Sequence, residues 1–144
     1  MDPSQAVRDE SADLSRGDLE AVLSYYTDDV YFEDVSVPTP CRTKAEMRDF
    51  MKVFYDAFPD LHAAIDDIFA EGDKVVYRWS VEGTFENEIM GLQPTGERGS
   101  PVRGITIDRY EGDRIAESWS QWDTLTFMRD IGAIPSEAAA SAGS

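Results

Sequence analysis

The spacing of apolar residues changes its period at Pro59, and this change constrains the fold more than any other feature of the chain. Before Pro59, apolar side chains recur at helical spacing (Met47, Phe50, Met51, Phe54, Tyr55, Phe58), behind the capping-box pair Thr43 and Glu46. After Pro59, apolar and polar residues alternate in four stretches separated by turns such as 71–74 and 111–113. The pattern predicts helices followed by antiparallel strands in hairpins, which is an α+β fold.

The remaining segments complete this prediction. We expect a weak helix at 4–16, a second over 19–26, a strand at 30–35, strands at 61–70, 75–85, 102–110 and 114–123, and a terminal helix at 125–131. A curved antiparallel sheet wrapped around the N-terminal helices would form a cone-shaped barrel whose interior is a pocket for a small apolar molecule. Residues 1–135 are expected to form one domain, and the low-complexity residues 136–144 a disordered tail.

The charge balance argues against polyanionic partners. The chain has 13 Lys and Arg against 29 Asp and Glu, a formal net charge of −16. Such a surface repels phosphate groups, so we expect neither nucleic-acid nor membrane binding. With Cys41 as the only cysteine, no internal disulfide can form, which favours a cytoplasmic protein with Cys41 as an ordinary buried residue. No signal peptide or membrane-spanning run is recognised.

Common cofactor and metal motifs are absent from the sequence. There is no glycine-rich phosphate loop, no dinucleotide-binding fingerprint, no CxxC and no HExxH. One histidine and one cysteine cannot build the usual zinc or haem site. A site made of carboxylates alone stays open, although no spacing resembles a calcium loop. We expect no cofactor and no metal, so that any catalysis comes from carboxylates, tyrosines, arginines and an apolar enclosure.

Two aspartates are the candidate catalytic groups. Alternation along the last strand places Glu117, Trp119, Gln121 and Asp123 on one side with Ile115. If that side faces an apolar cone, desolvation raises the pKa of Asp123 and lets it take and return a proton. The equally supported alternative is that Asp123 caps the terminal helix. Asp34 is the second candidate, and its alternative role is that of a turn residue before Ser36 and Pro38.

Other side chains are candidates for binding a substrate. Arg103, with Ile105 and Ile107, is expected on the concave face of the sheet, where it could orient a substrate oxygen; an exposed or structural ion pair is its alternative. The expected pocket wall consists of Tyr26, Phe32, Phe50, Phe54, Trp79 and Trp119, with Gln121 as a polar contact.

A series of short runs, in order along the chain, resembles one known family. They are Gly17-Asp18-Leu19-Glu20, Asp28-Asp29-Val30, Ala57-Phe58-Pro59-Asp60-Leu61, Glu71-Gly72-Asp73-Lys74-Val75-Val76, Arg78-Trp79, Gly91-Leu92-Gln93-Pro94-Thr95-Gly96, Arg103-Gly104-Ile105, Asp113-Arg114-Ile115, Glu117-Ser118-Trp119 and Trp122-Asp123. Together they resemble the SnoaL-like polyketide cyclases of the NTF2-like superfamily. The resemblance implies a homodimer. In the cyclases an aspartate matching Asp123 is the general acid/base of a cofactor-free aldol condensation, and in related steroid isomerases one at the position of Asp34 abstracts the proton.

The leading hypothesis is therefore a cofactor-independent enzyme of specialised metabolism, such as antibiotic biosynthesis. It would cyclise or isomerise a polyketide-like or terpenoid-like substrate, with Asp123 and Asp34 as acid and base and with Arg103 and Gln121 orienting substrate oxygens. One alternative is a non-catalytic binding module on the same fold. A further alternative is an epoxide hydrolase built on Arg103, Asp123 and Asp34.

Overall fold

The structure is a computed structural model that describes residues 2–135, so the predicted tail at 136–144 lies outside the described residues. The helices are α1 (Pro3–Ser15), α2 (Leu19–Leu23), α3 (Lys44–Ala57) and α4 (Thr124–Asp130). The strands are β1 (Tyr26–Asp34), β2 (His62–Glu71), β3 (Lys74–Glu82), β4 (Val102–Glu111) and β5 (Arg114–Trp122). The predicted α+β order is confirmed. The second helix is shorter than expected, because the chain enters β1 at Tyr26.

The five strands form one curved, unclosed sheet in the order β1-β5-β4-β3-β2. Strands β2 to β5 pair antiparallel with their neighbours, as the hairpin turns predict. Strand β1 is parallel to β5 and lies at the sheet edge, with Asp34 opposite Ser120. This parallel pairing brings together the carboxyl ends of the first and last strands.

Helices α1 and α3 cover the concave face of the sheet. Thr43 Oγ1 accepts the backbone N–H of Glu46 at the start of α3, as the capping-box pattern predicts, and Pro59 follows its end. Val7, Met47, Val30 and Ile115 are almost fully buried where the helices meet the sheet. Cys41 is buried beside Phe32, as predicted. No helix within residues 2–135 has the length and apolar character needed to cross a membrane.

Candidate functional site

A cavity of about 250 Å³ lies between the concave face of the sheet and the helices. Aromatic side chains form most of its wall: Tyr26, Phe32, Phe50, Phe54, Tyr55, Phe58, Tyr77, Trp79, Trp122 and Phe127. Several of these rings contact each other edge to face or tilted, including Phe50 with Phe54 at 5.3 Å between centroids. Contacts of this kind fix ring positions and leave an apolar space with a defined shape.

Asp34 brings a carboxylate to this cavity at the end of β1. Its Oδ1 accepts three hydrogen bonds, from Trp122 Nε1 at 2.9 Å, Ser36 N at 2.9 Å and Ser36 Oγ at 2.5 Å. Its Oδ2 has no hydrogen-bond partner among the described residues and is not fully enclosed by protein. One oxygen is thus held in place while the other is free to accept a proton from a bound molecule.

Glu10 brings a second carboxyl group to the cavity from α1, where it is only 8% exposed. Its Oε1 accepts a hydrogen bond of 2.6 Å from the Tyr26 hydroxyl, and its Oε2 has no partner among residues 2–135. Burial raises the pKa of Glu10 to about 8; the nearby Asp108 adds to this shift and the Tyr26 hydrogen bond opposes it. Glu10 is therefore mostly protonated at neutral pH and can donate a proton from Oε2.

Asp108 lies behind this site on β4 and is fully buried. Its Oδ2 accepts a hydrogen bond of 3.2 Å from the Tyr77 hydroxyl, whereas Oδ1 and the nearby Ser118 Oγ lack a well-aligned partner in the described chain. Burial raises the pKa of Asp108 to about 7, with the Ser118 and Tyr77 hydroxyls opposing the shift. Burial also raises the pKa of Tyr26 and Tyr77 well above the usual value, so both phenols stay protonated.

A row of neutral polar groups crosses the sheet side of the cavity. Trp79 Nε1 donates to Thr106 Oγ1 at 2.9 Å, and Thr106 Oγ1 lies 2.7 Å from Ser120 Oγ. All three residues line the cavity. Within residues 2–135 no group of three or more His, Cys, Asp or Glu side chains is placed to hold a metal ion.

The structure places Asp123 outside the cavity, at an exposed position. Its carboxylate accepts the backbone N–H of Thr126 at 3.1 Å and the Thr126 hydroxyl at 2.6 Å, which caps α4. These hydrogen bonds lower the pKa of Asp123. The predicted raised pKa is therefore wrong, and the helix-capping alternative is the one observed.

Arg103, Trp119 and Gln121 were expected in the pocket and lie instead on the outer face of the sheet. Ile115 is buried on the inner face as expected, but the pairing of β4 with β5 shifts between Tyr110–Ile115 and Arg109–Glu117. Ala116 is the extra residue of this bulge. The bulge breaks the alternation, so the residues after it occupy the face opposite to the predicted one.

On β4 the inner face carries Thr106 and Asp108. The outer face carries Ile105, which is 50% exposed, and Ile107. Ile105 and Ile107, on which the predicted inward position of Arg103 depends, therefore lie on the outer face together with Arg103. Since Arg103 and Asp123 are both outside the cavity, the three residues of the epoxide-hydrolase alternative are not brought together.

Six of the predicted site residues do line the cavity: Asp34, Tyr26, Phe32, Phe50, Phe54 and Trp79. Sequence reasoning missed Glu10, Ser120 and Trp122. A signal for Glu10 was present, because Val7, Glu10 and Leu14 occupy positions i, i+3 and i+7 of one helical face. An acidic residue within an apolar stripe indicates a buried carboxyl group.

The chain matches known structures over most of its length. It is 26% identical to AclR, a candidate hydroxylase from Streptomyces galilaeus, with a TM-score of 0.83 over 92% of this chain and 96% of that one. It is also 26% identical to IdmH, a candidate polyketide cyclase from Streptomyces antibioticus, with a TM-score of 0.78 over 92% and 99% of the two chains. TsrD from Streptomyces laurentii is 26% identical, with a TM-score of 0.77 over 93% and 99%.

No curated protein matches the sequence significantly. The family model described as SnoaL-like polyketide cyclase matches residues 5–131, which include most of α1 with Glu10, β1 with Asp34 and the whole sheet. By this match the chain belongs to the SnoaL-like polyketide cyclase family.

Proposed function

We propose that the protein is a cofactor-independent cyclase-type enzyme of specialised metabolism, such as antibiotic biosynthesis, in which Asp34 is the base and Glu10 the acid. The observation that carries this proposal is that two carboxyl groups line one apolar cavity, one with an oxygen that can accept a proton and one that can donate a proton. Asp34 Oδ2 is free to accept a proton, and buried Glu10 holds one. One group that accepts a proton and one that donates a proton are the two parts that general acid/base catalysis requires.

The chemistry follows from these two groups. Asp34 Oδ2 removes a proton from a carbon next to a substrate carbonyl, and the electron pair of the C–H bond forms an enolate. In a cyclisation, the enolate carbon attacks a second carbonyl of the same molecule and forms a C–C bond. The resulting alkoxide takes the proton of Glu10, and proton exchange with water then returns both groups to their starting states. In an isomerisation, Asp34 instead returns its proton to a different carbon.

The aromatic wall supplies the geometry for this reaction. A flexible polyketide-like or terpenoid-like substrate has to fold so that its two reacting carbons meet. Phe50, Phe54, Trp79 and Trp122 restrict its conformations and exclude water from the enolate. Positioning of this kind supplies up to roughly 7–11 kcal/mol in favourable cases.

Carbon–hydrogen exchange tests the proposal without knowledge of the natural substrate. We would incubate the protein with 2-tetralone, an uncharged apolar ketone, in deuterated water and follow deuterium uptake by mass spectrometry. We expect catalysed uptake that falls at least about a hundredfold in Asp34→Asn. Asp29→Asn is the matched control, because Asp29 is an exposed aspartate on the same strand.

Two results would overturn this assignment. Saturable binding of the ketone with no exchange above the buffer rate would indicate the non-catalytic binding module. Loss of exchange in Asp123→Asn with full exchange in Asp34→Asn would return the acid/base role to Asp123.

We further propose that the protein is a cytoplasmic homodimer formed through the outer face of the sheet. Ile105 on β4 and Phe69 on β2 are 50% and 62% exposed on this face. Arg78 and Arg103 are exposed on the same face, where positive charge offsets the repulsion between two chains of net charge −16. The second copy of the chain is the partner that the family resemblance implies.

A further inference from the structure

The charge of the cavity lining restricts which molecules can enter. Four carboxyl side chains line it, those of Glu10, Asp34, Glu82 and Asp130, and no Lys, Arg or His does so within residues 2–135. A ligand carboxylate or phosphate placed here would lose its hydration and gain no positive partner. Burial of an uncompensated charge next to like charges is strongly unfavourable.

Two of these carboxylates lie on the solvent-exposed side of the lining, which we define as the opening of the cavity. Asp130 Oδ2 accepts the backbone N–H of exposed Ser100, which also lines the cavity, and the Glu82 side chain is 37% exposed. The positive side chain beside Glu82 is Arg98, which is already engaged by Glu82 at 3.3 Å and by Asp60 at 3.4 Å. An approaching anion therefore meets carboxylates, and Arg98 is neutralised by two of them.

Apart from the Asp34 carboxylate, the described residues of the interior offer a ligand neutral partners. Glu10 is protonated by virtue of its burial, and Thr106 and Ser120 offer hydroxyl groups. These groups suit the carbonyl or hydroxyl oxygens of an uncharged molecule, and the aromatic wall suits its rings.

We infer that the cavity selects its ligand by charge and takes an uncharged, oxygen-bearing, ring-containing molecule, while it rejects free carboxylates and phosphate-bearing thioesters such as those of coenzyme A. The inference itself concerns binding alone. That the bound molecule is also the substrate rests on the proposed function. The charge selection also limits which reaction can supply this molecule. The preceding reaction must release the molecule from any phosphate-bearing carrier and leave no ionised carboxyl group on it.

A matched set of ligands tests the inference by calorimetric titration of the intact protein at pH 7. The uncharged members are methyl benzoate, methyl 2-naphthoate and methyl anthracene-2-carboxylate, and the anionic members are the corresponding carboxylates and 2-naphthoyl coenzyme A. We expect at least one ester to bind, with its carboxylate at least tenfold weaker and the thioester without measurable binding. Equal or tighter binding of a carboxylate or the thioester would overturn the inference, as would failure of all three esters to bind.

A variant at the opening provides the second arm. Glu82→Gln removes one carboxylate and releases Arg98 from one of its two partners. We expect the ratio of carboxylate affinity to ester affinity to rise severalfold in this variant. Glu71→Gln, at the exposed end of β2, is the matched control. An unchanged ratio of carboxylate to ester affinity in Glu82→Gln would show that this carboxylate at the opening does not contribute to the charge selection. Because no turnover is measured, absence of deuterium exchange would refute the proposed reaction and leave the charge selection standing.

Discussion

Trp122 Nε1 donates a hydrogen bond of 2.9 Å to Asp34 Oδ1 across two parallel strands. The two residues are 88 positions apart in the chain. The bond fixes one carboxylate oxygen against the indole and leaves the other without a hydrogen-bond partner among the described residues. It also places an aromatic wall residue and the proposed base in one rigid unit, so that changes at either residue affect both shape and chemistry.

The pH dependence of exchange identifies the acid. In the exchange reaction the oxygen that takes the proton of Glu10 is the enolate oxygen of the ketone, and Glu10 can donate only while it is protonated. We therefore expect kcat/KM for exchange to fall as the pH rises through about 8, to which burial raises the pKa of Glu10. Glu10→Gln keeps the side-chain shape but has no transferable proton, and we expect about a hundredfold lower activity with no such fall. Asp9→Asn, on the exposed face of α1, should keep the profile of the wild type. An identical profile in Glu10→Gln would exclude Glu10 as the acid.

Stability should decrease as the pH rises from about 4.5 to 8. The pKa values of Glu10 and Asp108 are raised by burial from 4.5 to about 8 and from 3.8 to about 7, so folding favours their protonated forms. That stabilisation is complete below the unfolded-state pKa values and is lost as the pH passes the folded-state values. Each group contributes up to about 1.4 kcal/mol per pH unit within its window.

Chemical denaturation at pH 5, 7 and 8.5 measures this effect. Asp108→Asn removes one titrating group and should flatten the decrease, because an amide does not ionise. Asp66→Asn, at an exposed position of β2, should leave the slope as in the wild type. A free energy of unfolding that is constant from pH 5 to 8.5 would show that the two carboxyl groups are not held protonated.

Asp123→Ala should lower the stability of the fold and leave the rate of deuterium exchange unchanged. The substitution removes both hydrogen bonds to Thr126 at the start of α4, and loss of such a cap costs about 1 kcal/mol. Thermal unfolding measures the loss, and deuterium exchange should proceed at the wild-type rate. A stable variant that has lost exchange would contradict the position that the structure gives to Asp123.

Gly104→Ala should disrupt the cavity from the sheet side. A Cβ atom at this position would meet the indole of Trp79 and would lie 2.7 Å from Trp122 Cβ. Overpacking of this kind costs about 1–3 kcal/mol, and displaced indoles would change the cavity wall. We expect lower stability and weaker binding of methyl 2-naphthoate. Arg103→Ala, next along the strand on the outer face, should bind the ester normally. Normal ester binding by Gly104→Ala would show that the indoles do not depend on this glycine.

The proposed dimer depends on the outer face. Ile105→Glu places a charge in the centre of that face and should convert a dimer to a monomer in light scattering at micromolar concentration. Met90→Glu is the control, because Met90 is an equally exposed apolar residue in a loop. A wild-type protein that is monomeric at high concentration would contradict the proposed assembly.

The elements of this fold could be predicted because their signals are local. The helical stripe ending at Phe58, the capping pair Thr43 and Glu46 and the glycine turns after β2 and β4 each act within a few residues. Local patterns also predicted the cavity residues Phe50 and Phe54 on α3 and Trp79 on β3.

The faces of β4 and β5 could not be predicted, for two physical reasons. The bulge at Ala116 interrupts the alternation that was extrapolated from Ile115. The inner face of β4 also carries Asp108, whereas the outer face carries Ile105 and Ile107, which is the reverse of the usual distribution. A polar residue on an inner face becomes understandable only when its partner on another strand, here Tyr77, is known.

The position of β1 at the edge of the sheet has a consequence for biosynthesis. Its sheet partner is β5, the last strand among the described residues, so during translation β1 must wait until nearly the whole domain has been made. Until then the apolar side chains of β1 have no strand beside them on which to pack, and Asp34 has no indole to orient it. A nascent chain truncated before β5 therefore lacks the finished binding chamber, and the ability to recognise a ligand arrives together with the final strand rather than growing gradually.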